Sequence, residues 1–270
     1  MKKAKYFALL IIVITLLYFV ENWIVSNQKS YPNISKVQVE PSKEFSENLL
    51  PSSTTGAVIY HTYFSLSYSE AHEQAEWVAY ELKKEQLSKN EFKRPYFMED
   101  SDVKTGAADW RNYKNSGYDR GHLCPAGDRR FSYEAYQETF LTSNISPQDR
   151  EFNAGVWNFL EQKVRFWAEK YDGVYVVTGG VLKRGLKTIG DEKVSVPEEF
   201  FKIILDASGG NYKVLAFLIP NKKTENSFYD FVVTVDLIEE KTGINFFETL
   251  PDSIENELES KINLGSWGKR

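Results

Sequence analysis

The chain of 270 residues contains one cysteine, Cys124. That excludes an intramolecular disulfide and a cysteine-rich zinc site. Cysteine poverty fits an exported bacterial-type protein without demonstrating one. Histidine is almost as scarce. With only His61, His72 and His122, few positions can supply a side chain that titrates near neutral pH. Positive charge is not in excess either, the formal net charge being −5. No global cationic field therefore draws in a polyanion or an anionic lipid surface. A site built on a local cluster of cations stays open. The sequence has no internal repeat.

Apolar material is plentiful. Residues are 42% hydrophobic and 15% aromatic, enough for one well-buried domain with a mixed, sheet-containing core. Lys2, Lys3 and Lys5 precede an uncharged apolar run from Tyr6 to Val20. A basic start before an apolar core is the pattern of an export signal. Extended through Val25, the run is long enough to span a bilayer. The positive-inside rule then puts the N-terminus in the cytoplasm and the rest of the chain outside. No Ala-x-Ala site follows, and no cysteine stands nearby for a lipid, so an uncleaved anchor over residues 1–25 is favoured over a cleaved, secreted form. Residues 26–56 are polar, carry Pro32, Pro41 and Pro51, and read as a flexible tether. The remaining 57–270 form the domain.

Within that domain, Val58 to Leu66 is strand-like. Glu70 to Leu87 fits both a helix and a strand through Trp77-Val78-Ala79-Tyr80. Ser132 caps a short helix reaching Thr139, and Ser143 to Pro147 reads as a loop. The strongest helical pattern runs from Asn153 to about Tyr171 and ends at Gly173. Val174 to Thr178 is a buried strand. Phe200–Leu205 and Tyr212–Ile219 form a hairpin around Gly209-Gly210. Thr234 caps a helix that stops at Gly243, and the charged tail after Pro251 is peripheral.

The stretch Tyr118-Asp119-Arg120-Gly121-His122-Leu123-Cys124-Pro125 sets a histidine beside an arginine, on or next to a strand. On the long helix, counting about 100° per residue from Asn153 places Asn153, Glu161 and Arg165 along one border of the apolar stripe. A carboxamide, a carboxylate and a guanidinium on such a border suit the lining of a cleft better than a solvated rim. With His122 and Arg120 they make a coherent set for cutting a phosphodiester. A neutral His122 can take a proton from water, and Arg120 and Arg165 can hold phosphate oxygens in a planar fork. Asn153 offers a hard carbonyl oxygen to a magnesium ion that keeps most of its waters, and Glu161 can hold those waters.

These residues resemble the DNA/RNA non-specific endonuclease family. The match runs through Asp119-Arg120-Gly121-His122, Glu138 to Gln148, and Asn153-x3-Trp157-x2-Leu160-Glu161-x3-Arg165. It extends loosely from about Tyr60 to Leu250. The resemblance implies an α/β (mixed α+β) domain with a ββα-metal (His-Me finger) nuclease fold, its central, mostly antiparallel sheet flanked by helices. It implies His122 as base, Asn153 as ligand of a single Mg2+ (or Mn2+), Glu161 as water holder, and Arg120 and Arg165 as phosphate contacts. Asn144 matches a second active-site asparagine that contacts substrate. A further upstream arginine is expected, with Arg111 as candidate. The substrates implied are DNA and RNA, cut to 5′-phosphate and 3′-hydroxyl ends. Oligomeric state stays open, a homodimer among the options. Cys124 departs from the family, which usually has a small residue there. The acidic balance and Asp128 also suit a polyanion less well.

Three other readings compete. A cysteine hydrolase would use Cys124 with His122. A catalytically inactive module would only bind nucleic acid or a partner. A phosphodiesterase acting on small nucleotides would use the same residues as the nuclease.

Overall fold

The computed structural model describes residues 49–208 and 212–268. The apolar N-terminal segment and the tether up to residue 48 lie outside them, as does the tip of the hairpin at Gly209-Gly210. No helix among the described residues is long and apolar enough to cross a membrane.

The strands are β1 (Val58–Tyr60), β2 (Ser65–Ser69), β3 (Gln74–Lys83), β4 (Asp119–His122), β5 (Ile145–Gln148) and β6 (Gly173–Gly180). They continue as β7 (Thr188–Ile189), β8 (Val194–Ser195), β9 (Glu199–Asp206), β10 (Lys213–Pro220) and β11 (Val232–Val233). The helices are α1 (Tyr133–Glu138), α2 (Asn158–Lys170), α3 (Val235–Thr242) and α4 (Asp252–Ser260). A seven-stranded sheet in the order β1-β2-β3-β6-β9-β10-β11 is antiparallel throughout. This is the mixed architecture with a largely antiparallel sheet that the sequence implied.

Both faces of the sheet are covered. Val78, Tyr80 and Leu82 of β3 point into one core with Trp157, Leu160, Val164 and Trp167. Trp77 and Ala79, one step out of phase, point into the other with Val235, Ile238 and Leu258. A strand buried on both faces reads as an unbroken apolar run, which is why Glu70–Leu87 also fitted a helix. The strand-like run Val58–Leu66 is in fact a hairpin. His61 N–H donates to the Phe64 carbonyl at 2.9 Å and turns β1 back onto β2.

Two expectations shift at the chain's edges. The last residues of the tether belong to the domain. Leu49 is buried in the second core, and Trp77 Nε1 donates to the Ser52 carbonyl at 2.9 Å. The tail after Pro251 is not peripheral. It forms α4, and Trp267 is buried edge-on against Trp167, with ring centroids 5.0 Å apart. Both caps chosen from sequence are present, Ser132 accepting from Ala135 N–H and Thr234 from Leu237 N–H, and Gly243 is left-handed at φ 73°.

Candidate active site

β4 and β5 form a separate two-stranded ribbon, with Gly121 opposite Ser146 and His122 opposite Ile145. The residues read as a loop at Ser143–Pro147 therefore contain a strand. Pro147 lacks an N–H and is tolerated because the ribbon has no third strand to bond. Gly121 is required by its neighbour across the ribbon. A Cβ there would fall 2.1 Å from Gln148 Cδ and 2.4 Å from its Cγ, and Gln148 is fully buried.

After β5 the chain enters a helix earlier than its pattern suggests. The Asp149 side chain accepts from the N–H groups of Glu151 and Phe152 and caps a single turn, Arg150–Phe152. A π-turn follows over Asn153–Trp157, with Gly155 non-helical at φ −99° and ψ −114°, before α2 proper begins. Ribbon and helix together make the ββα unit. The π-turn inserts about one residue, a phase change of roughly 100°. On an ideal helix Glu161 and Arg165 lie about 80° and 120° round from Asn153, and the inserted residue takes them to roughly −20° and 20°, so the turn by itself brings the three closer in phase.

Asn153 lines a cleft of about 700 Å³ with Lys93, Arg94, Phe97, Trp110, Tyr118, Asp119 and Arg120. Its amide Nδ2 donates to Asp119 Oδ2 at 3.2 Å. Three cations against one carboxylate make this wall locally positive in a chain whose total is −5. Aromatic rings and guanidinium groups alternate along it. The Arg120 guanidinium lies 5.4 Å from the Trp110 ring and 5.1 Å from Phe97, and Arg94 lies 5.7 Å from Phe97 and 5.5 Å from Phe140.

His122 sits behind this ladder, 5.6 Å from the Phe97 ring and edge-on to Phe140 at 4.9 Å. Burial, helped by the charge of Arg94, pushes its pKa down to about 3. Burial thus holds the ring neutral near pH 7 and opposes its taking up a proton until the site opens. Nε2 is out of solvent and has no hydrogen-bond partner among the described residues, a costly state for a buried polar atom.

Glu161 and Arg165 line a different cleft, with Lys84, Lys89, Arg130 and Phe166. Arg165 donates to Asp128 at 2.6 Å, so part of its fork is committed inside the protein. Burial pushes Glu161 up to about 7, against the charges of Lys202 and Arg165 and with that of Asp128. Lys202 Nζ is buried without a hydrogen bond among the described residues, 4.6 Å from the Trp157 ring. Glu161 and Arg165 are thus half-buried on a second cleft, where they meet the buried charges of Asp128 and Lys202, apart from the residues that line the cleft of Asn153 and Arg120.

Asn144 is fully buried. It accepts from Cys124 N–H at 2.8 Å and donates to the carbonyls of Cys124 at 3.0 Å and Thr139 at 2.9 Å. With both amide hydrogens used internally it acts as a staple, and the substrate contact implied by resemblance gives way to that role. Arg111, the candidate upstream arginine, pairs with Asp109 and lies on another cleft. Arg94, also upstream in the chain, lines the cleft with Arg120. Cys124 is buried and its thiol is pushed up to about 12, chiefly by burial, which removes the cysteine hydrolase.

Residues 41–253 match the model of the DNA/RNA non-specific endonuclease family. The chain belongs to this family. Nuclease EXOG of Danio rerio is 37% identical over 208 residues, covering 71% of this chain and 61% of the relative. Human endonuclease G is 34% identical over 198 residues, covering 68% and 67%. A solved EndoG/EndoGI complex matches with a TM-score of 0.67 at 29% identity, over 73% of this chain and 88% of that one. This chain spans 57 to 66% of the length of the EXOG relatives from three vertebrates.

Members of the DNA/RNA non-specific endonuclease family use a divalent metal, and the donor set here fits one. With its Nδ2 turned to Asp119, Asn153 has its carbonyl oxygen free of protein hydrogen bonds among the described residues. A neutral amide oxygen beside a carboxylate, in an open cleft with room for water, suits a hard cation that stays largely hydrated. Arg94 carried too weak a sequence signal to be found. Lys93-Arg94-Pro95 has no periodicity, and only the fold brings it over His122.

Proposed function

We propose that this protein is a metal-dependent endonuclease that hydrolyses phosphodiester bonds of both DNA and RNA. The observation that carries the reading is His122 beneath a ladder of two guanidinium groups that lines one cleft with Asn153 and Asp119. His122 takes the proton of the attacking water. Arg120 and Arg94 grip the non-bridging phosphate oxygens, whose negative charge competes with the aromatic rings for the guanidinium groups and draws the ladder open over His122. Asn153 and Asp119 would hold Mg2+, which when bound supplies positive charge to the phosphate and the departing 3′ oxygen. Glu161 and Arg165 act through the helix that carries Asn153. Selectivity for base is low because every group named addresses the phosphate. The N-terminal segment, if it is the anchor its sequence suggests, sets this activity outside the cytoplasm, which fractionation of cells expressing the full chain would test.

The experiment is cleavage of supercoiled plasmid and of a structured RNA by the full chain, with Mg2+ or with EDTA, beside His122→Ala. Both substrates should be cut with Mg2+ alone, and the variant should lose most of the turnover while keeping its melting temperature. Full activity of His122→Ala would overturn the assignment of the base. A folded protein that binds nucleic acid without cutting it under any divalent ion would make it a binding module. Cleavage of dinucleotides alone would make it a small-nucleotide phosphodiesterase.

A further inference from the structure

We propose a second cation site, of the calcium type, between α3 and α4, built from Asp236, Glu239 and Glu259. One carboxylate oxygen from each residue lies within 4.8 Å of those of the other two. Glu259 is 7% exposed, and its Oε1 is buried with no hydrogen-bond partner among the described residues. Glu239 commits Oε1 to the Phe246 N–H at 2.8 Å, which fixes the side chain and leaves its other oxygen for a ligand. Asp236 is exposed and closes the site on the solvent side.

No protein cation balances these charges among the described residues. The two lysines close in sequence are paired elsewhere, Lys241 with Glu199 and Lys261 with Glu257. Glu255, one helical turn before Glu259, adds a fourth carboxylate, and burial together with this crowding pushes Glu259 up to about 8. Converging carboxylates with an unpaired buried oxygen are stabilised when a divalent ion enters, and all-oxygen donors with room for water match the six to eight ligands of calcium.

The site is distinct from the catalytic one. α3 and α4 pack on the sheet face with Trp77 and Ala79, whereas α2 and the ribbon pack on the face with Val78 and Tyr80. Glu259 also lies beyond residue 253, where the family match ends. The ion would tie this chain's own C-terminal helix to the family domain.

The test is thermal melting of the full chain, stripped with EDTA and titrated with Ca2+ alone. At a hundredfold excess over Kd the wild type should melt about 5 °C higher. Asn153→Ala, which disables the catalytic site, should keep that shift. Glu259→Gln should lose it, and without Ca2+ it should melt at or above the wild type because repulsion is relieved. Asp236→Asn, on the exposed side where folding is not at risk, should weaken apparent Ca2+ affinity about tenfold. A wild type indifferent to Ca2+, a shift retained in Glu259→Gln, or a shift lost in Asn153→Ala would each overturn the proposal. None of these bears on nuclease activity.

Discussion

Asn144 separates a structural role from a catalytic one. Its side chain makes three buried hydrogen bonds, with Cys124 N–H, Cys124 C=O and Thr139 C=O, at 2.8 to 3.0 Å. Both partner residues are themselves fully buried. In Asn144→Ala these three backbone groups lose their side-chain partner in a space too tight to refill. At about 1 kcal/mol for each bond the expected loss is about 3 kcal/mol. In urea, the midpoint followed by tryptophan fluorescence should fall by that amount divided by the slope, with the slope unchanged. The melting temperature should drop by roughly 6 °C for a domain of this size. Asn144→Asp should do no better. It keeps the acceptor for Cys124 N–H but turns a carboxylate towards two carbonyl oxygens. Well below the melting point, either variant should bind substrate much as the wild type does, because no amide hydrogen of Asn144 is free for a phosphate. A loss under 1 kcal/mol combined with a large rise in KM would refute this and restore Asn144 as a substrate contact.

Two further predictions follow from groups flanking the site. Gly121→Ala should cost about 1 to 3 kcal/mol, because the new methyl meets the buried Gln148 side chain, and Gln148→Ala in the same chain should recover part of it. That recovery, read by urea denaturation, is the check, and simple additivity would refute it. His61 is pulled down by burial, yet its hydrogen bond to Asp100 at 2.9 Å and that carboxylate's charge, aided by Glu138 and Asp102, carry its pKa above the ordinary value. A raised folded pKa gives stability that is fully present below about pH 6.5 and lost as pH rises through the folded value. Wild-type stability should therefore exceed that of His61→Gln at pH 6, and the gap should narrow by pH 9. An unchanged gap would show that the pair contributes no charge.

The elements with a strong local signal were legible in sequence. Asp119-Arg120-Gly121-His122 lies on a strand as expected, because its glycine and its flanking aromatic residues are explained by one ribbon. The caps at Ser132 and Thr234 were legible because a single hydroxyl aimed at one N–H is a contact made within three residues. What sequence could not give were relations made by tertiary packing. β3 looked equally helical because both its faces are buried, and Leu49 looked like tether because one apolar residue among prolines and serines has no period. Arg111 and Arg94 were indistinguishable as arginines before a loop. Asp109 holds the first away from the cleft, while Phe97 and Phe140 hold the second over His122.

The helix carrying Asn153, Glu161 and Arg165 shows the difference most sharply. All three residue types sit at the family's spacing, and ideal geometry would put them on one border. The helix is irregular at Asn153–Trp157, where a π-turn kinks at Gly155, and there Asn153 meets Asp119 and the cleft. Glu161 and Arg165 are left facing Lys202 and Asp128. A π-turn stays where its extra residue has a use, since it gives up regular backbone bonding. Here it sets the Asn153 amide nitrogen against Asp119 Oδ2 of the ribbon, at 3.2 Å, and leaves the carbonyl oxygen for the cleft. Buried Trp157 and Phe152, with rings 5.2 Å apart, flank the turn and clamp it from the core side. Among the three, only Asn153 lines the cleft of the proposed cation, while Glu161 and Arg165 line a second one.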